Sequence, residues 1–257
     1  LVVGIVIGRF KDLLQRRRGA ASGVHETDVG RLSAGMAAVV LASLLVVCLT
    51  SALLYRLAYR RCGNPLVAIV VSGLGTAGAS IHWFARPHLF TMLFLVVFLT
   101  ILERVREGRT ALLWTLPVLT VPWTNLHGGF LILIAILGLT TVGSAIEAWM
   151  QRSAGAAPDW TPALRWAKLT SACGAVSLIN PYGWGLHLHV VEYLRSDWIR
   201  KVVQEFQSPT FRDENMLQFE ALLFIGLIAA GTHFRRSKVT EALWILFLAY
   251  LSLSSVR

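Results

Sequence analysis

The chain has 257 residues, of which 55% are hydrophobic and only 15% are charged, and its mean hydropathy is +0.62. A soluble domain carries about a quarter charged residues, so this composition excludes an ordinary water-soluble domain and requires lipid around much of the surface. The net charge of +10 does not indicate nucleic-acid binding, because the basic residues lie in short clusters between apolar runs, as they do where charge sets membrane topology.

Residues 1–33 form a basic N-terminal segment, which includes Arg9, Lys11 and Arg16–Arg18. One interpretation of this segment is an amphipathic helix that lies along the membrane interface. The apolar residues Leu1–Ile7 resemble the tail of a longer run, so we expect the sequence to be a piece of a longer protein.

Residues 34–257 are predicted to form a transmembrane helical domain. A spanning helix needs roughly 20 apolar residues, and the apolar runs here do not alternate in polarity as barrel strands do. Eight runs follow one another along the chain: about Ala34–Tyr55, Pro65–Ile81, Pro87–Leu102, Ala111–Trp123, Gly128–Trp149, Ala163–Ile179, Met216–His233 and Val239–Ser255. We therefore predict an all-α fold, a polytopic transmembrane helical bundle of about eight spans with one larger extracytoplasmic loop at 181–215.

The fourth run, Ala111–Trp123, differs from the others because it is short and contains Pro117 and Pro122. We expect it to form a tilted, broken or re-entrant helix. Such a helix is tolerated at membrane depth only where protein or water satisfies its backbone groups.

The charges on the two sides of the predicted spans are unequal. Twelve basic residues fall on one side: Arg56, Arg60, Arg61, Arg104, Arg106, Arg109, Arg152, Arg165, Lys168, Arg235, Arg236 and Lys238. Six fall on the other side, where the loop at 181–215 also carries five acidic residues. The positive-inside rule makes the first side cytoplasmic. Strict alternation places the basic residues of 9–33 on the outer side, against the rule.

Several Trp residues lie at the edges of apolar runs, where an amphipathic ring favours the membrane interface. These residues are Trp83, Trp114, Trp123, Trp149 and Trp184.

Four clusters of polar residues fall on the predicted outer face. They occur in the sequences HWFARPH, WTNLHGGF, NPYGW and QEFQSP, and their candidate functional residues are His82, Arg86, His88, Asn125, His127, Asn180, Tyr182, Trp184 and Glu205. Polar side chains at membrane depth are costly and are candidates for functional sites. The convergence of four clusters on one face favours a common site.

Each cluster also has a structural interpretation. Arg86 could be an interfacial anchor that reaches lipid phosphates, and Asn125 and His127 could satisfy backbone groups between two tightly linked helices, with Gly128 and Gly129 allowing the close connection. The NPYG sequence at Asn180 is typical of a turn that follows a helix.

The order and spacing of HWFARPHLF, the loop from Glu103 to Arg109, WTNLHGGF, NPYGW and QEFQSP carry a resemblance. From about Ala34 to Arg257, the chain resembles bacterial multi-span membrane proteins that look like GT-C glycosyltransferases, akin to the protein mannosyltransferases and the lipid A sugar transferases.

The resemblance implies a sugar transfer from a polyprenyl-phosphate donor to an acceptor on the outer face of a bacterial plasma (inner) membrane. It implies that the catalytic acid lies in a first extracytoplasmic loop, N-terminal to this sequence. Arg86, His82 and His88 would then bind the phosphate, and Glu205 or His127 would act as the base that activates the acceptor. Asn125, Asn180, Tyr182 and Trp184 would complete the substrate site. A divalent metal is left open, since no ligand set is visible in the sequence.

Two other classes of function remain alternatives. A transporter or flippase of a lipid-linked substrate would show inverted repeats and discontinuous helices that meet at mid-membrane; the proline-containing run fits this weakly, and no repeat is visible. A polymerase or ligase of surface polysaccharide, or a non-catalytic assembly subunit, would also place Arg and His residues on the outer face.

Overall fold

The computed structural model describes residues 26–80, 83–153, 155–202, 211 and 216–254, and only the backbone of residues 26–34 and 200. All regular secondary structure in these ranges is helical, which confirms the predicted all-α fold. The helices are α1 Glu26–Cys62, α2 Pro65–Gly78, α3 His88–Arg106, a 3₁₀ turn Thr110–Trp114, α4 Thr115–Leu126, α5 Phe130–Ser153, α6 Thr161–Val176, α7 Trp184–Arg195, α8 Asp197–Val202, α9 Leu217–Arg235 and α10 Val239–Ser254.

Four helices in the described ranges are long and apolar enough to cross a membrane, and they indicate a membrane protein. They are residues Gly35–Cys62 of α1, together with α3, α5 and α9. Helices α2 and α10 are apolar but shorter, with 14 and 16 residues. Helix α1 begins eight residues before the predicted span at Ala34, since its first residue is Glu26.

The break between α1 and α2 illustrates how local sequence sets the helix ends. Gly63 takes a φ of +66°, a left-handed conformation that glycine adopts at low cost. The side chain of Asn64 then accepts hydrogen bonds from the amides of Leu66 and Val67, at 2.9 and 3.3 Å. Pro65 occupies the first turn of α2, where its missing amide hydrogen costs nothing.

The proline-containing run, Ala111–Trp123, forms a 3₁₀ turn followed by a short helix. It begins as the 3₁₀ turn, continues as the 12-residue helix α4, and carries Pro122 inside that helix. Helix α4 packs against α3, α5 and α6, and Leu116 and Thr120 are fully buried. One side of α4 is thus buried in the bundle, while Val118 and Pro122 on its other side are exposed.

The core of the described structure lies between α3, α4, α5 and α6. Its fully buried large side chains include Phe98, Leu116, Phe130 and Leu133. Helices α1, α2, α9 and α10 surround this core: α1 packs against α2 and α3, α2 against α9, α9 against α10, and α10 against α5. The outer helices keep most of their apolar side chains exposed, as expected for surfaces that face lipid.

The prediction that Trp123 lies at an interface is wrong, because its side chain is fully buried. The residue lies at the edge of an apolar run, but it belongs to the buried side of α4, where its ring packs against Phe94 of α3. The other Trp residues named from the sequence are exposed, and two further exposed rings belong to Trp160 and Trp198.

The ends of the bundle differ in chemistry. The basic end comprises the C-terminal ends of α1, α3, α5 and α9 and the N-terminal ends of α6 and α10, and it carries all twelve basic residues that the charge pattern places on one side. Ion pairs join its helices: Arg61 Nε lies 2.5 Å from Glu103 Oε2, and Arg106 Nη2 lies 2.8 Å from Glu241 Oε1. The polar end comprises the N-terminal end of α3, the α4–α5 loop, the C-terminal end of α6, and α7.

The predicted loop at 181–215 contains helices where the structure describes it. Helices α7 and α8 occupy residues 184–195 and 197–202, while 203–210 and 212–215 lie outside the described residues. The helical part escaped the sequence analysis because its charged residues are interspersed with apolar ones, and the run is too short for a span.

Candidate functional site at the polar end

The first polar cluster forms the turn into α3. The amide of Leu89 donates to the carbonyl of Arg86 at 3.2 Å, and His88 is the first residue of the helix after Pro87. The guanidinium carbon of Arg86 lies 5.8 Å from the centroid of the Phe84 ring, in a cation–π contact. The Arg86 side chain is exposed and that of His88 is half-buried, whereas His82 lies outside the described residues.

A hydrogen-bond network joins α3 to the α4–α5 loop through Thr91, one turn into α3. The indole nitrogen of Trp123 donates to Thr91 Oγ1 at 2.9 Å, and Thr91 Oγ1 lies 2.9 Å from His127 Nδ1. The backbone amide of Gly129 also points at His127 Nδ1, at 3.0 Å. Three elements are thus tied together by uncharged groups.

These contacts determine which nitrogen of His127 carries the proton. An amide can only donate, so the contact with Gly129 makes Nδ1 an acceptor, and the Thr91 hydroxyl can donate to the same nitrogen while it accepts from Trp123. The neutral ring then carries its hydrogen on Nε2. The hydrogen on Nε2 is then the only one that the ring can donate.

The two glycines of the α4–α5 loop have different roles. A Cβ on Gly129 would overlap the Thr91 side chain and reach His127 Nδ1 at 3.0 Å, whereas a Cβ on Gly128 would meet only Val190 Cγ2 at 4.0 Å. Only Gly129 is therefore required by the close approach of its neighbours.

Asn125 bridges α4 to the segment after α6. Its Nδ2 donates to the carbonyl of Val121 within α4 and to the carbonyl of Ile179, both at 2.8 Å. This contact agrees with the structural interpretation of Asn125 from the sequence, in which its side chain satisfies backbone groups between two helices.

Asn180 organises the NPYG turn. Its Oδ1 accepts from the amide of Tyr182 at 2.8 Å, and its Nδ2 donates to the carbonyls of Ser177 and Gly183 at 2.9 and 3.1 Å. Gly183 has a φ of +51°, which favours glycine. The turn leaves the side chains of Tyr182 and Trp184 exposed at the start of α7.

His187 is a member of the polar end that the sequence analysis missed. Its Nε2 lies 2.9 Å from Ser177 Oγ, and the Ser177 hydroxyl donates to the carbonyl of Gly174 at 2.7 Å. Because that donation uses the only hydrogen of the hydroxyl, His187 must donate from Nε2, which leaves Nδ1 as an acceptor. Nδ1 is buried and has no hydrogen-bond partner within the described part of the chain.

Aromatic rings hold His187 in place. The Trp184 ring lies nearly parallel to it at 5.5 Å between centroids, and the Phe130 ring meets it edge-on at 5.5 Å. A residue of this kind has no distinctive sequence signal, since His187 lies in the run LHLHVV, and only its packing against Ser177 and Phe130 singles it out.

An apolar cavity of about 150 Å³ opens between α1, α2 and α3. Aliphatic side chains line most of it, including Val46, Leu54 and Val96. Trp83 and Leu89, which flank Arg86 in the sequence, form its wall at the polar end. The turn that carries the Arg86 guanidinium thus also closes a cavity lined with hydrocarbon.

Among the predicted site residues, Asn125 contacts the backbone beside Asn180 through the carbonyl of Ile179, and Trp184 stacks on His187. His127 is held separately, by Thr91 and Gly129. Arg86 and His88 lie at the same end of the bundle, at the start of α3 and one turn before Thr91. The predicted base Glu205 lies outside the described residues, as does His82.

Across the ranges that the structure covers, no group of three or more His, Cys, Asp or Glu side chains could hold a metal ion. Comparison with protein-family models found no match, and searches of curated proteins and of solved structures found no similar protein.

Proposed function

We propose that this chain belongs to a glycosyltransferase of the bacterial plasma membrane, which moves a sugar from a polyprenyl-phosphate donor to an acceptor on the outer face. One observation carries the proposal: the exposed guanidinium of Arg86 lies on the turn whose neighbours Trp83 and Leu89 wall an apolar cavity. A lipid phosphate combines an anionic head with a hydrocarbon tail, and this turn offers a partner for each.

The proposed topology has eight spans, with the basic end in the cytoplasm and the polar end outside. The positive-inside rule supports this orientation, because twelve basic residues gather at one end. Helix α4 has 12 residues and reaches about 18 Å, less than the roughly 30 Å of a hydrocarbon core. Its contacts with α3, α5 and α6 support a place for it within the helical bundle.

The proposed roles combine the polar clusters of the sequence with the geometry of the described side chains. Arg86 binds the donor phosphate, since guanidinium forms paired hydrogen bonds with phosphate oxygens, and His88 and His82 add donors beside it. Asn125, Asn180 and Tyr182 belong to the proposed acceptor side. The Nδ1 lone pair of His127 already accepts from Gly129, which favours Glu205 over His127 as the proposed base.

Donor binding tests the proposal without requiring turnover. The chain would be reconstituted in lipid nanodiscs and titrated with a polyprenyl-phosphate sugar, and binding would be followed by a radiolabelled donor. Arg86→Lys should weaken binding and Arg86→Ala should weaken it further, by about 10-fold or more, as expected when a charged hydrogen bond worth about 1.5–3 kcal/mol is lost. Arg152→Ala, at the basic end, serves as the matched control and should bind like the parent.

Equal donor binding by Arg86→Ala and the parent would return Arg86 to the role of an interfacial anchor. A second measurement separates transfer from transport. If the reconstituted parent moved the lipid-linked donor across the bilayer of sealed vesicles without releasing its sugar to an acceptor, the flippase alternative would replace the transferase.

A further inference from the structure

Helix α7 has two apolar faces, and the bundle covers only one of them. On the covered face, Leu186 packs against the central core, the His187 ring meets Phe130, and Val190 lies over the α4–α5 loop beside Gly128. These contacts seat α7 on the polar end of the bundle.

Beside this covered face, α7 exposes the large apolar side chains of Trp184, Leu188 and Val191, and the following helix α8 exposes those of Trp198 and Val202. These five side chains are called the stripe. The α7 members follow the three- and four-residue spacing that places side chains on one side of a helix. Trp184 is 63% and Trp198 is 68% exposed, while the exposed polar residues His189 and Glu192 fall beside the stripe.

We propose that this stripe docks on the surface of the lipid bilayer, so that α7 and α8 form an interfacial element at the polar end. Tryptophan rings lie near both ends of the stripe, and they favour the headgroup region of a membrane.

The distribution of the other Trp residues supports the same occupant. Exposed Trp114, Trp149 and Trp160 lie at the basic end, and exposed Trp83 lies at the polar end. Trp184 and Trp198 raise the number at the polar end to three, which matches the three at the basic end. Two such groups at opposite ends of an apolar bundle correspond to the aromatic belts of membrane proteins. The proposal does not depend on the glycosyltransferase function.

Spin labels can measure what covers the stripe. Single cysteines would be introduced at Leu188 and Val191 on the stripe, and at His189 and Glu192 beside it as matched controls, after replacement of the free cysteines Cys48, Cys62 and Cys173. In vesicles of phosphatidylcholine and phosphatidylglycerol, labels on the stripe should show a several-fold higher ratio of oxygen to nickel-chelate collision rates than the control labels.

Two results would overturn the proposal. Nickel access at the stripe equal to that at the controls would mean that water covers it, and low access to both quenchers would mean that protein covers it, as in an interface with a second copy. A further measurement needs no cysteine replacement: Trp198→Phe should reduce the fraction of total tryptophan emission that brominated lipids quench. An unchanged quenched fraction would also contradict docking on lipid.

Discussion

The two ends of the bundle are held together by different forces. At the basic end, Arg61–Glu103 and Arg106–Glu241 join α1, α3 and α10 through ion pairs. At the polar end, uncharged groups make the connections, as in the contacts of Thr91 with Trp123 and His127. The difference teaches that the cations of the basic end hold helices together through charge, whereas the described connections at the polar end run through Thr91 and its uncharged partners.

The largest expected effect on stability is at the basic end, where α5 meets α10. A Cβ on Gly143 would lie 2.7 Å from the Cα of Thr240. A backbone atom cannot relieve this overlap by a change of side-chain rotamer. Gly143→Ala should therefore push the helices apart and lower the free energy of unfolding by about 1–3 kcal/mol or more, which thermal denaturation in detergent would measure.

Gly138 is the matched control on the same helix, since a Cβ there meets nothing within 4 Å. Gly138→Ala should raise the stability slightly, by up to about 1 kcal/mol, because alanine favours the helix. Equal effects of the two substitutions would show that the α5–α10 contact is looser than described.

The second prediction tests the neutral network of the polar end. Thr91→Val removes the hydroxyl that accepts from Trp123 and leaves the buried indole N–H without a partner. The expected loss is about 1–3 kcal/mol, and it should be nearly independent of salt. Thr100→Val, also on α3, removes only a hydroxyl bond to the carbonyl of Val96 in the same helix. Its effect on the free energy of unfolding should stay within about 0.5 kcal/mol. Equal losses of stability in the two variants would contradict a stabilising role for the Thr91 network.

The third prediction concerns the ion pair Arg106–Glu241, whose side chains are 38% and 25% exposed. A double-mutant cycle with Arg106→Ala and Glu241→Ala should give a coupling of about 0.2–1 kcal/mol, the range of exposed pairs. Salt should reduce this coupling, since it screens exposed charges, and this salt dependence should distinguish the basic end from the Thr91 network. A coupling that does not change between low and high salt would contradict the comparison.

The smallest effect on stability is expected at Asp159, in the α5–α6 loop of the basic end. Hydrogen bonds from the side chain and the amide of Thr161 hold the pKa of this carboxyl below its usual value. A carboxyl with a lowered pKa in the folded state stabilises the fold above its unfolded pKa of about 4, and the contribution is lost as the pH falls through the folded pKa. Asp159→Asn should therefore lower the melting temperature slightly at neutral pH and not in acid. A difference that persisted in acid would exclude ionisation as its cause.

Several features of the fold follow from local sequence alone. The apolar runs predict where helices form, because lipid requires apolar side chains and internally paired backbone groups. Gly63, Asn64 and Pro65 mark the break between α1 and α2 by conformations and caps that depend on nearest neighbours. The polar clusters at Arg86, Asn125 and Asn180 are likewise visible in the sequence, since polar residues stand out between apolar runs.

Contacts between distant residues escaped prediction. Trp123 was predicted at an interface and is buried, because the position of α4 among α3, α5 and α6 depends on packing. His187 was missed because its partners Ser177 and Phe130 are 10 and 57 positions away in the sequence. The helices at 184–202 were taken as part of a loop, since their apolar residues are too few for a span.

By itself, the sequence determined that this protein is helical, that much of its surface is apolar, and which residues gather the positive charge. Composition and periodicity suffice for these properties because they depend on the solvent around each segment. Only the tertiary structure decided that Thr91 joins Trp123 to His127, that Gly129 and Gly143 are required by close approach, and that α7 has a second, uncovered face. Each of these depends on where separate helices meet, and no local pattern records that.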